Sequence, residues 1–283
     1  MYHRITGSVT TEGDTLYFKI TGTGEPFVYI AGGGGDGDLF LPLADKLSDK
    51  YKVITYDRRA NGRSTMNFPD EFDIAQQARD AVVVLNSCGE TSAYFFGNSS
   101  GAVIALELVA RFPEVVKTAI IHEAPLARLA PDTEKWQTFF QSCYGRSKKL
   151  GGSSMAAVKF MFGIEISPFD MIKAELKARK YLKNEPKQPH ETRIPSKQAT
   201  DYLIKQELLP VTNYQPQLEK LKENKTKIVI AIGTYAMEHH TWLSKIGERL
   251  QSQIGCKLDV FPGHHASFMS ELDEWSVAIK KVI

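Results

Sequence analysis

The chain has 283 residues, of which 42% are hydrophobic and 24% are charged, and its formal net charge is +2. These values are typical of a soluble globular protein with one large domain, or with one domain that carries an insertion. The lysines and arginines are scattered along the sequence, so composition gives no electrostatic reason to expect binding to nucleic acid or to an anionic membrane.

The amino-terminal residues contain no apolar core of signal-peptide length, and no later run approaches roughly 18 apolar residues. Three widely spaced cysteines, Cys88, Cys143 and Cys256, indicate a reducing compartment rather than a disulfide framework or a metal cluster. We therefore expect a cytoplasmic protein without nucleic-acid or membrane partners. The sequence leaves its oligomeric state open.

Short apolar runs alternate with helical segments along most of the chain. Glu12-Gly13-Asp14 predicts a hairpin turn between strands at Val9–Thr10 and Leu16–Ile20. Most later runs lack polar alternation, as in parallel strands covered on both faces: Phe27–Ile30, Val53–Tyr56, Tyr94–Phe96, Ala119–His122, Ile228–Ile232 and Leu258–Phe261. Helices are predicted over Leu39–Leu47, Phe72–Cys88, Ala102–Phe112, Thr241–Gln253 and Leu272–Val282. This alternation predicts an α/β fold with a mostly parallel, doubly wound sheet.

The alternation is interrupted between Ala124 and about Gln215, where the pattern predicts helices and no convincing strand. The predicted helices are Trp136–Tyr144, Met155–Phe162, Met171–Leu182 and Lys197–Leu209, separated by Gly151-Gly152, Pro186, Pro189 and Pro195. Such an insertion is expected to form a cap (residues 125–213) above the carboxyl edge of a core formed by residues 1–124 and 214–283. A helical subdomain used for oligomerisation is the alternative interpretation.

A Gly-x-Ser-x-Gly motif lies between a predicted strand and a predicted helix, at Gly97-Asn98-Ser99-Ser100-Gly101. This context is typical of a nucleophile elbow, in which a sharp turn presents the serine hydroxyl above the sheet. Large side chains on either side of the serine would collide in so tight a turn, which accounts for Gly97 and Gly101. Ser99 is therefore the candidate nucleophile, and an ordinary glycine-rich turn is the alternative.

A serine nucleophile needs a base and a group that orients the base. Two histidines follow the last predicted strand, and we choose His265 as the base, with His264 as the alternative. For the acid we favour Glu123, at the end of the strand Ala119–His122, over Glu238. The apolar neighbours of Glu123 indicate burial, and an unpaired buried carboxylate would be costly.

The oxyanion formed during acyl transfer requires backbone N–H donors. Ser100, directly after the nucleophile, is one candidate donor. The second is expected in the glycine-rich loop Ala31–Gly37, where Gly33 is our choice and Gly34 the alternative.

Over nearly its whole length the chain resembles the α/β-hydrolase superfamily. The resemblance is carried by the loop Ala31–Gly37, the elbow Gly97–Gly101, the histidine loop Gly263–His265, and Tyr56–Ser64, which is similar to the family's D-x-R-G-x-G-x-S turn. It implies an α/β-hydrolase fold with a helical cap and a Ser–His–acid triad. The sequence departs from the family at Ala31, where a histidine is usual, and at Ala236, where the acid is usual. An acid at the position of Glu123 is similar to some haloalkane dehalogenases, but a serine nucleophile argues against dehalogenation and epoxide hydrolysis.

Two other classes of function compete with this interpretation. The segment Gly32–Gly37 also satisfies G-x-G-x-x-G, with Asp57 at about the distance of a ribose-binding acid, so an NAD(P)-dependent oxidoreductase is one alternative. A non-catalytic ligand-binding protein of the same fold is another. A metal site formed by His239-His240 with His264-His265 lacks ligand spacing. His122 and His190 are interpreted as a strand-end residue under the cap and a solvated loop residue.

The sequence thus predicts a serine hydrolase without cofactor or metal, which cleaves a small carboxylic ester, lactone or amide through an acyl-enzyme on Ser99. Aromatic residues of the cap, Trp136, Phe139, Phe140, Phe160 and Phe162, are candidates for an apolar substrate pocket. Their helical spacing favours core packing for most of them.

Overall fold

The computed structural model describes residues 4–67, 71–185 and 192–283. Pro186, Pro189 and His190 lie outside these ranges. The predicted mostly parallel sheet is confirmed, because eight strands form one sheet in which most neighbouring strands are parallel. The strands are β1 (Arg4–Thr11), β2 (Asp14–Thr21), β3 (Glu25–Ile30), β4 (Tyr51–Tyr56), β5 (Ala93–Asn98), β6 (Val116–His122), β7 (Ile228–Gly233) and β8 (Lys257–Phe261).

The strand order across the sheet is β1-β2-β4-β3-β5-β6-β7-β8. Strand β2 is antiparallel to both β1 and β4, and β1 and β2 form the predicted hairpin with Thr11 opposite Asp14. All other neighbouring pairs are parallel. The six strands from β3 to β8 therefore end at one common edge.

Helices cover both faces of the sheet, and strand β3 shows why. Phe27 and Tyr29 face one hydrophobic cluster while Val28 and Ile30 face another, and all four side chains are buried. The first cluster includes residues of α1 (Leu41–Leu47) and α12 (Leu272–Val282), and the second includes residues of α2 (Ile74–Ser87), α3 (Ser100–Arg111) and α11 (Trp242–Ile254). Burial of one such side chain contributes about 1.5–3 kcal/mol, so both faces of the strand favour this arrangement.

The chain between β6 and β7 contains only helices and turns in its described residues. These helices are α4 (Thr133–Ser147), α5 (Gly152–Gly163), α6 (Pro168–Leu182), α7 (Ser196–Tyr202), α8 (Leu208–Thr212) and α9 (Leu218–Glu223). Proline in the first turn and the Ser167 side chain, which accepts from the N–H of Asp170, begin α6. None of the helices in the described ranges is long and apolar enough to cross a bilayer.

Apart from the short helix α9, which the sequence pattern did not predict, two local features differ from the prediction. The helix predicted over Lys197–Leu209 is interrupted by a π-helical turn, Leu203–Glu207. A π turn accommodates an extra residue, and here Leu203 and Glu207, at its two ends, both reach groups at the carboxyl edge of the sheet. The second difference is a short helix, α10 (Thr234–Glu238), directly after β7.

Candidate active site

Ser99 is the single residue between the end of β5 and the start of α3. Its backbone has φ 55° and ψ −119°, a conformation that costs a non-glycine residue roughly 1–3 kcal/mol. A Cβ atom on Gly97 would collide with the carbonyl oxygen of Gly101, and one on Gly101 would collide with that of Ile30. The two glycines therefore permit the sharp turn, as the motif predicts.

The carboxylate of Glu123 lies directly after β6 and joins the loop that follows β8. Its Oε2 is 2.6 Å from Nδ1 of His265, and its Oε1 accepts the N–H of Gly233 at 2.9 Å. Glu123 has φ 49° and is 3% exposed, whereas Glu238 is exposed on α10. Of the two candidate acids, the structure thus brings Glu123 to the histidine.

The environment of Glu123 keeps this carboxylate ionised. Burial opposes ionisation, but the neighbouring His122, the hydrogen bond with His265 and the N–H of Gly233 outweigh it and lower the pKa of Glu123 to about 2. Burial also lowers the pKa of His122 to about 4, against the opposing effect of Glu123. Because His122 is uncharged at neutral pH, the hydrogen bonds from His265 and Gly233 carry the stabilisation of the carboxylate there.

His122 and Asn98 connect the elbow to the histidine loop, and sequence reasoning did not single out either residue for this role. The amide nitrogen of Asn98 is 2.9 Å from Nδ1 of His122 and 3.2 Å from the carbonyl oxygen of His265. It donates to the carbonyl, which assigns Nδ1 of His122 as an acceptor and places the proton on Nε2. That nitrogen lies 3.9 Å from Oε1 of Glu123, and the rings of His122 and His265 stack at 5.7 Å. The position of His122 beside Glu123 at a strand end was the only sequence signal.

The loop that carries the two histidines is held by its own hydrogen bonds. The indole N–H of Trp275 donates to the carbonyl oxygen of Pro262 at 3.0 Å, and the N–H of Gly263 donates to the hydroxyl of Thr234 at 2.9 Å. Nδ1 of His264 accepts the N–H of Ala266 at 3.2 Å, so this ring is used within the loop. His265, 9% exposed, faces Glu123.

The glycine-rich loop after β3 lies against the elbow. An added Cβ on Gly32 would lie 3.0 Å from the carbonyl oxygen of Asn98, and one on Gly33 would lie 2.9 Å from Cδ1 of Leu203. No hydrogen bond within the described parts of the chain uses the N–H of Gly33 or of Ser100. Both groups therefore remain available to an acceptor in the space beside Ser99.

Asp57, the candidate ribose-binding acid, has a structural role in this fold. Its carboxylate accepts the N–H of Gly37 at 3.0 Å and the N–H and Nε of Arg63 at 2.8 and 2.6 Å, and it is fully buried. These contacts join the glycine-rich loop to the turn that follows β4. The glycines and Asp57 thus have structural reasons that do not involve a dinucleotide.

The four histidines considered as a metal site, His239, His240, His264 and His265, do not form a group with metal-ligand spacing. His239 and His240 are exposed on the surface, and His239 stacks on Tyr235 at 4.1 Å. Within the described ranges, the one group of His, Cys, Asp and Glu side chains with suitable spacing is His122, Glu123 and His265. Nδ1 of His265 and both carboxylate oxygens of Glu123 are already used in the hydrogen bonds given above.

Ser99 and His265 line the same cavity, whose volume is about 230 Å³. Most of its lining is apolar. Helices α5, α6 and α8 and the π turn contribute apolar side chains to it: Phe160, Met161, Met171, Leu203, Leu208 and Val211. Polar residues of the lining include Asp36 and Glu175. The cavity has the mixture of apolar walls and a few polar groups that is typical of a small-molecule site.

Of the aromatic residues that the sequence analysis considered for a substrate pocket, Phe160 lines this cavity. Trp136 and Phe140 are buried against Trp242, with ring centroids 4.3 and 5.6 Å from it. Phe162 is 61% exposed. Core packing, rather than a pocket, therefore explains most of the helical aromatic spacing.

Comparisons with known proteins agree with this architecture. A sequence model described as "alpha/beta hydrolase fold" matches residues 25–149. The uncharacterized hydrolase YraK of Bacillus subtilis is 29% identical over 275 residues, which cover 95% of this chain and 93% of the relative. The putative carbamate hydrolase RutD of Azorhizobium caulinodans is 34% identical over 106 residues, which cover 38% of this chain and 40% of the relative.

Solved structures share the fold over almost the whole chain. A thermophilic esterase from Thermogutta terrifontis has a TM-score of 0.70 at 18% identity, covering 99% of this chain and 97% of its own. The enol-lactonase from Burkholderia xenovorans has a TM-score of 0.70 at 15% identity, covering 98% of this chain and 99% of its own. Fold, sequence-model match and relatives agree: the chain has the α/β-hydrolase fold, and it is an enzyme of the hydrolase type.

Proposed function

We propose that this hydrolase cleaves a small carboxylic ester, including cyclic esters, through an acyl-enzyme on Ser99. The observation that carries the proposal is the shared cavity of Ser99 and His265, combined with the 2.6 Å contact between His265 Nδ1 and Glu123. A histidine oriented by a carboxylate through Nδ1 leaves Nε2 free to accept the proton of a serine hydroxyl. Glu123 acts here as a positioning residue.

In the proposed reaction the hydroxyl oxygen of Ser99 attacks the ester carbonyl while His265 takes its proton. The carbon–oxygen bond to the alcohol then breaks, and His265 returns the proton to the leaving alcohol. In the second half of the reaction, water attacks the acyl carbon while His265 takes its proton. The bond between the acyl carbon and the oxygen of Ser99 then breaks, and His265 returns the proton to Ser99. Neither half of the proposed reaction requires a metal or an organic cofactor.

The oxyanion of each tetrahedral intermediate needs donors that are in place before the reaction. The N–H groups of Gly33 and Ser100 are our candidates, because both are without partners among the described residues and both residues line the cavity. Loss of one such donor typically raises the barrier by about 2.7–4 kcal/mol. The packing of Leu203 beside Gly33 would help to keep this loop in place.

The substrate is proposed to enter beneath a helical cap formed by residues 125–213. The apolar lining supplied by α5, α6 and α8 supports an apolar acyl or alcohol group. Among the similar proteins, an esterase and two lactone-cleaving enzymes are named, which fits acyl transfer from an ester oxygen.

Three buried, free cysteines support a reducing, cytoplasmic location.

Activity toward p-nitrophenyl esters of increasing acyl length, and toward simple lactones, tests the proposal. We expect Ser99→Ala and His265→Ala each to reduce kcat/KM by at least about 10³-fold, because members of such a triad act as a unit. Ser87→Ala, on the distant helix α2, is the matched control and should match the unsubstituted protein. A fluorophosphonate probe should label Ser99, as located by mass spectrometry. Undiminished turnover in Ser99→Ala would refute the mechanism.

A further inference from the structure

Helices α5 and α6 expose apolar side chains in the same pattern. On α5 the exposed residues are Met155, Val158 and Phe162, and on α6 they are Phe169, Ile172 and Leu176, with exposed fractions between 46% and 74%. Both sets follow the spacing i, i+3 and i+7, which places them along one face of each helix. Large apolar side chains grouped in this way on a surface mark an interaction site.

Lysines accompany both apolar stripes. Lys159 and Lys173 occupy the i+4 position of each pattern, and Lys180 follows one turn beyond Leu176. All three lysines are exposed, and none has an ion pair with another described residue. Each stripe therefore combines apolar side chains with ammonium groups on the same side of its helix.

The charge of this part of the chain differs from that of the whole. Residues 146–183 contain nine lysines and arginines and three acidic residues, a net charge of +6, whereas the complete chain has a net charge of +2. The sequence analysis described the lysines and arginines as scattered and did not identify this local excess of positive charge. A surface that is both apolar and strongly basic is complementary to an anionic, partly apolar partner.

The two stripes meet close to the cavity of the proposed active site. The rings of Phe162 and Phe169, at the junction of α5 and α6, are 6.3 Å apart. Met161 and Met171, next to the stripes on the same helices, line the cavity. A partner bound to the stripes would therefore lie near the apolar lining of the site.

We propose that the exposed faces of α5 and α6 dock this protein on the surface of an anionic phospholipid bilayer. Phenylalanine and leucine side chains would enter the headgroup region while the lysines pair with lipid phosphates, as in interfacial amphipathic helices. A second copy of the chain fits less well, because the same face on two molecules would oppose two sets of positive charges. The proposal concerns this surface alone and does not depend on catalysis by Ser99.

Flotation of the full-length protein with vesicles tests this proposal. Vesicles of phosphatidylglycerol mixed with phosphatidylcholine should bind the protein at least about tenfold more tightly than pure phosphatidylcholine, and added salt should weaken binding. The triple variant K159E/K173E/K180E should lose about 100-fold or more in affinity, since each basic residue contributes about fivefold. Phe169→Ser combined with Leu176→Ser should lose about tenfold or more.

Matched controls lie away from these helices. Val277→Ser removes a 69% exposed apolar side chain from α12, and K220E/K222E changes charge on α9. Both controls, and Ser99→Ala, should bind vesicles as the unsubstituted protein does, and circular dichroism should show that every variant is folded. Equal binding to neutral and anionic vesicles, or unchanged binding in the α5 and α6 variants, would overturn the proposal. Two further results would also overturn it. One is dimerisation without vesicle binding, if the Phe169 and Leu176 variant no longer dimerises. The other is selective binding of an acidic protein without vesicle binding.

Discussion

The backbone of Glu123 is left-handed, and its carboxylate contacts two neighbouring segments. With φ 49°, its side chain lies between the N–H of Gly233 and the ring of His265. Gly233 ends β7, the strand after which the superfamily usually supplies its acid. Here the end of that strand donates a hydrogen bond to a carboxylate from the neighbouring strand, so the charge reaches the histidine from a different direction.

Replacing this carboxylate separates its charge from its shape. Glu123→Gln should lower kcat for ester hydrolysis by about 10³–10⁴-fold with little change in KM, because the amide no longer stabilises the cationic histidine or its tautomer. Steady-state kinetics on a p-nitrophenyl ester, with urea unfolding to verify folding, measures the effect. Glu123→Asp should be more active than Glu123→Gln, because it keeps the carboxylate charge. If Glu123 had a purely structural role, restoring the charge would not restore activity.

Glu238→Gln is the matched control for this experiment, because Glu238 is exposed on α10. It should behave as the unsubstituted enzyme does. If instead Glu238→Gln were the more damaging change, the positioning role would belong to α10.

At the scale of elements, the π turn Leu203–Glu207 connects the helices between β6 and β7 to the glycine-rich loop after β3. One guanidinium nitrogen of Arg58 donates to the carbonyl oxygen of Gly32 and to Oε1 of Glu207, both at 2.7 Å. The side chains of Arg58 and Glu207 are fully buried. The ion pair and the hydrogen bond to Gly32 therefore join the helices between β6 and β7, the turn after β4 and the loop next to Ser99.

Removal of one partner from this pair leaves an uncompensated buried charge. Glu207→Ala should reduce the free energy of unfolding by about 3–5 kcal/mol, whereas exposed pairs contribute about 0–1 kcal/mol. Urea denaturation of Glu207→Ala and of the control Glu219→Ala, whose partner Lys222 is on the surface, measures the contrast. Equal losses in the two variants would show that the buried pair has no special role.

At the scale of the whole molecule, buried titrating groups make stability depend on pH. His122 has a pKa of about 4 in the folded protein, against an ordinary value of 6.5, so the unfolded chain binds its proton first as pH falls. The free energy of unfolding therefore decreases as pH falls from about 6.5 to about 4, because the unfolded state binds the proton of His122 and the folded state does not. Burial also lowers the pKa of His264, so this group likewise makes the folded state less stable as pH falls. Burial raises the pKa of Asp36 to about 6, so this group makes the folded state more stable as pH falls.

A difference measurement isolates His122 from the other groups. The unfolding free energy of the unsubstituted protein minus that of His122→Gln should fall with decreasing pH, by up to about 1.4 kcal/mol per pH unit between pH 6.5 and 4.5. Glu123 begins to contribute with the same sign only below its ordinary value of 4.5. Ser87→Ala, which changes no titratable group, provides the control and should give a difference that does not vary with pH. A constant difference for His122→Gln would mean that this histidine is not buried in its neutral form.

Local patterns in the sequence were sufficient for the α/β architecture. Continuous apolar runs predicted most of the parallel strands, because strands covered on both faces must be apolar throughout. The run Leu258–Phe261 contains Asp259, and it forms the half-exposed edge strand β8. Gly97 and Gly101 predicted the sharp turn at Ser99, since the steric reason for a glycine is local. Both inferences depend on residues close together in the chain, which is why they could be made without coordinates.

The partnerships of the candidate site were decided only by the tertiary structure. Sequence reasoning favoured Glu123 over Glu238 and His265 over His264, but only the register of β6, β7 and β8 brings Glu123 to His265 and leaves Glu238 on the surface. The contacts of Asn98 with His122 and His265, and of Arg58 with Glu207, join residues far apart in the chain. A hydrogen bond between distant segments depends on the relative placement of whole strands and helices, and no short stretch of sequence carries that information.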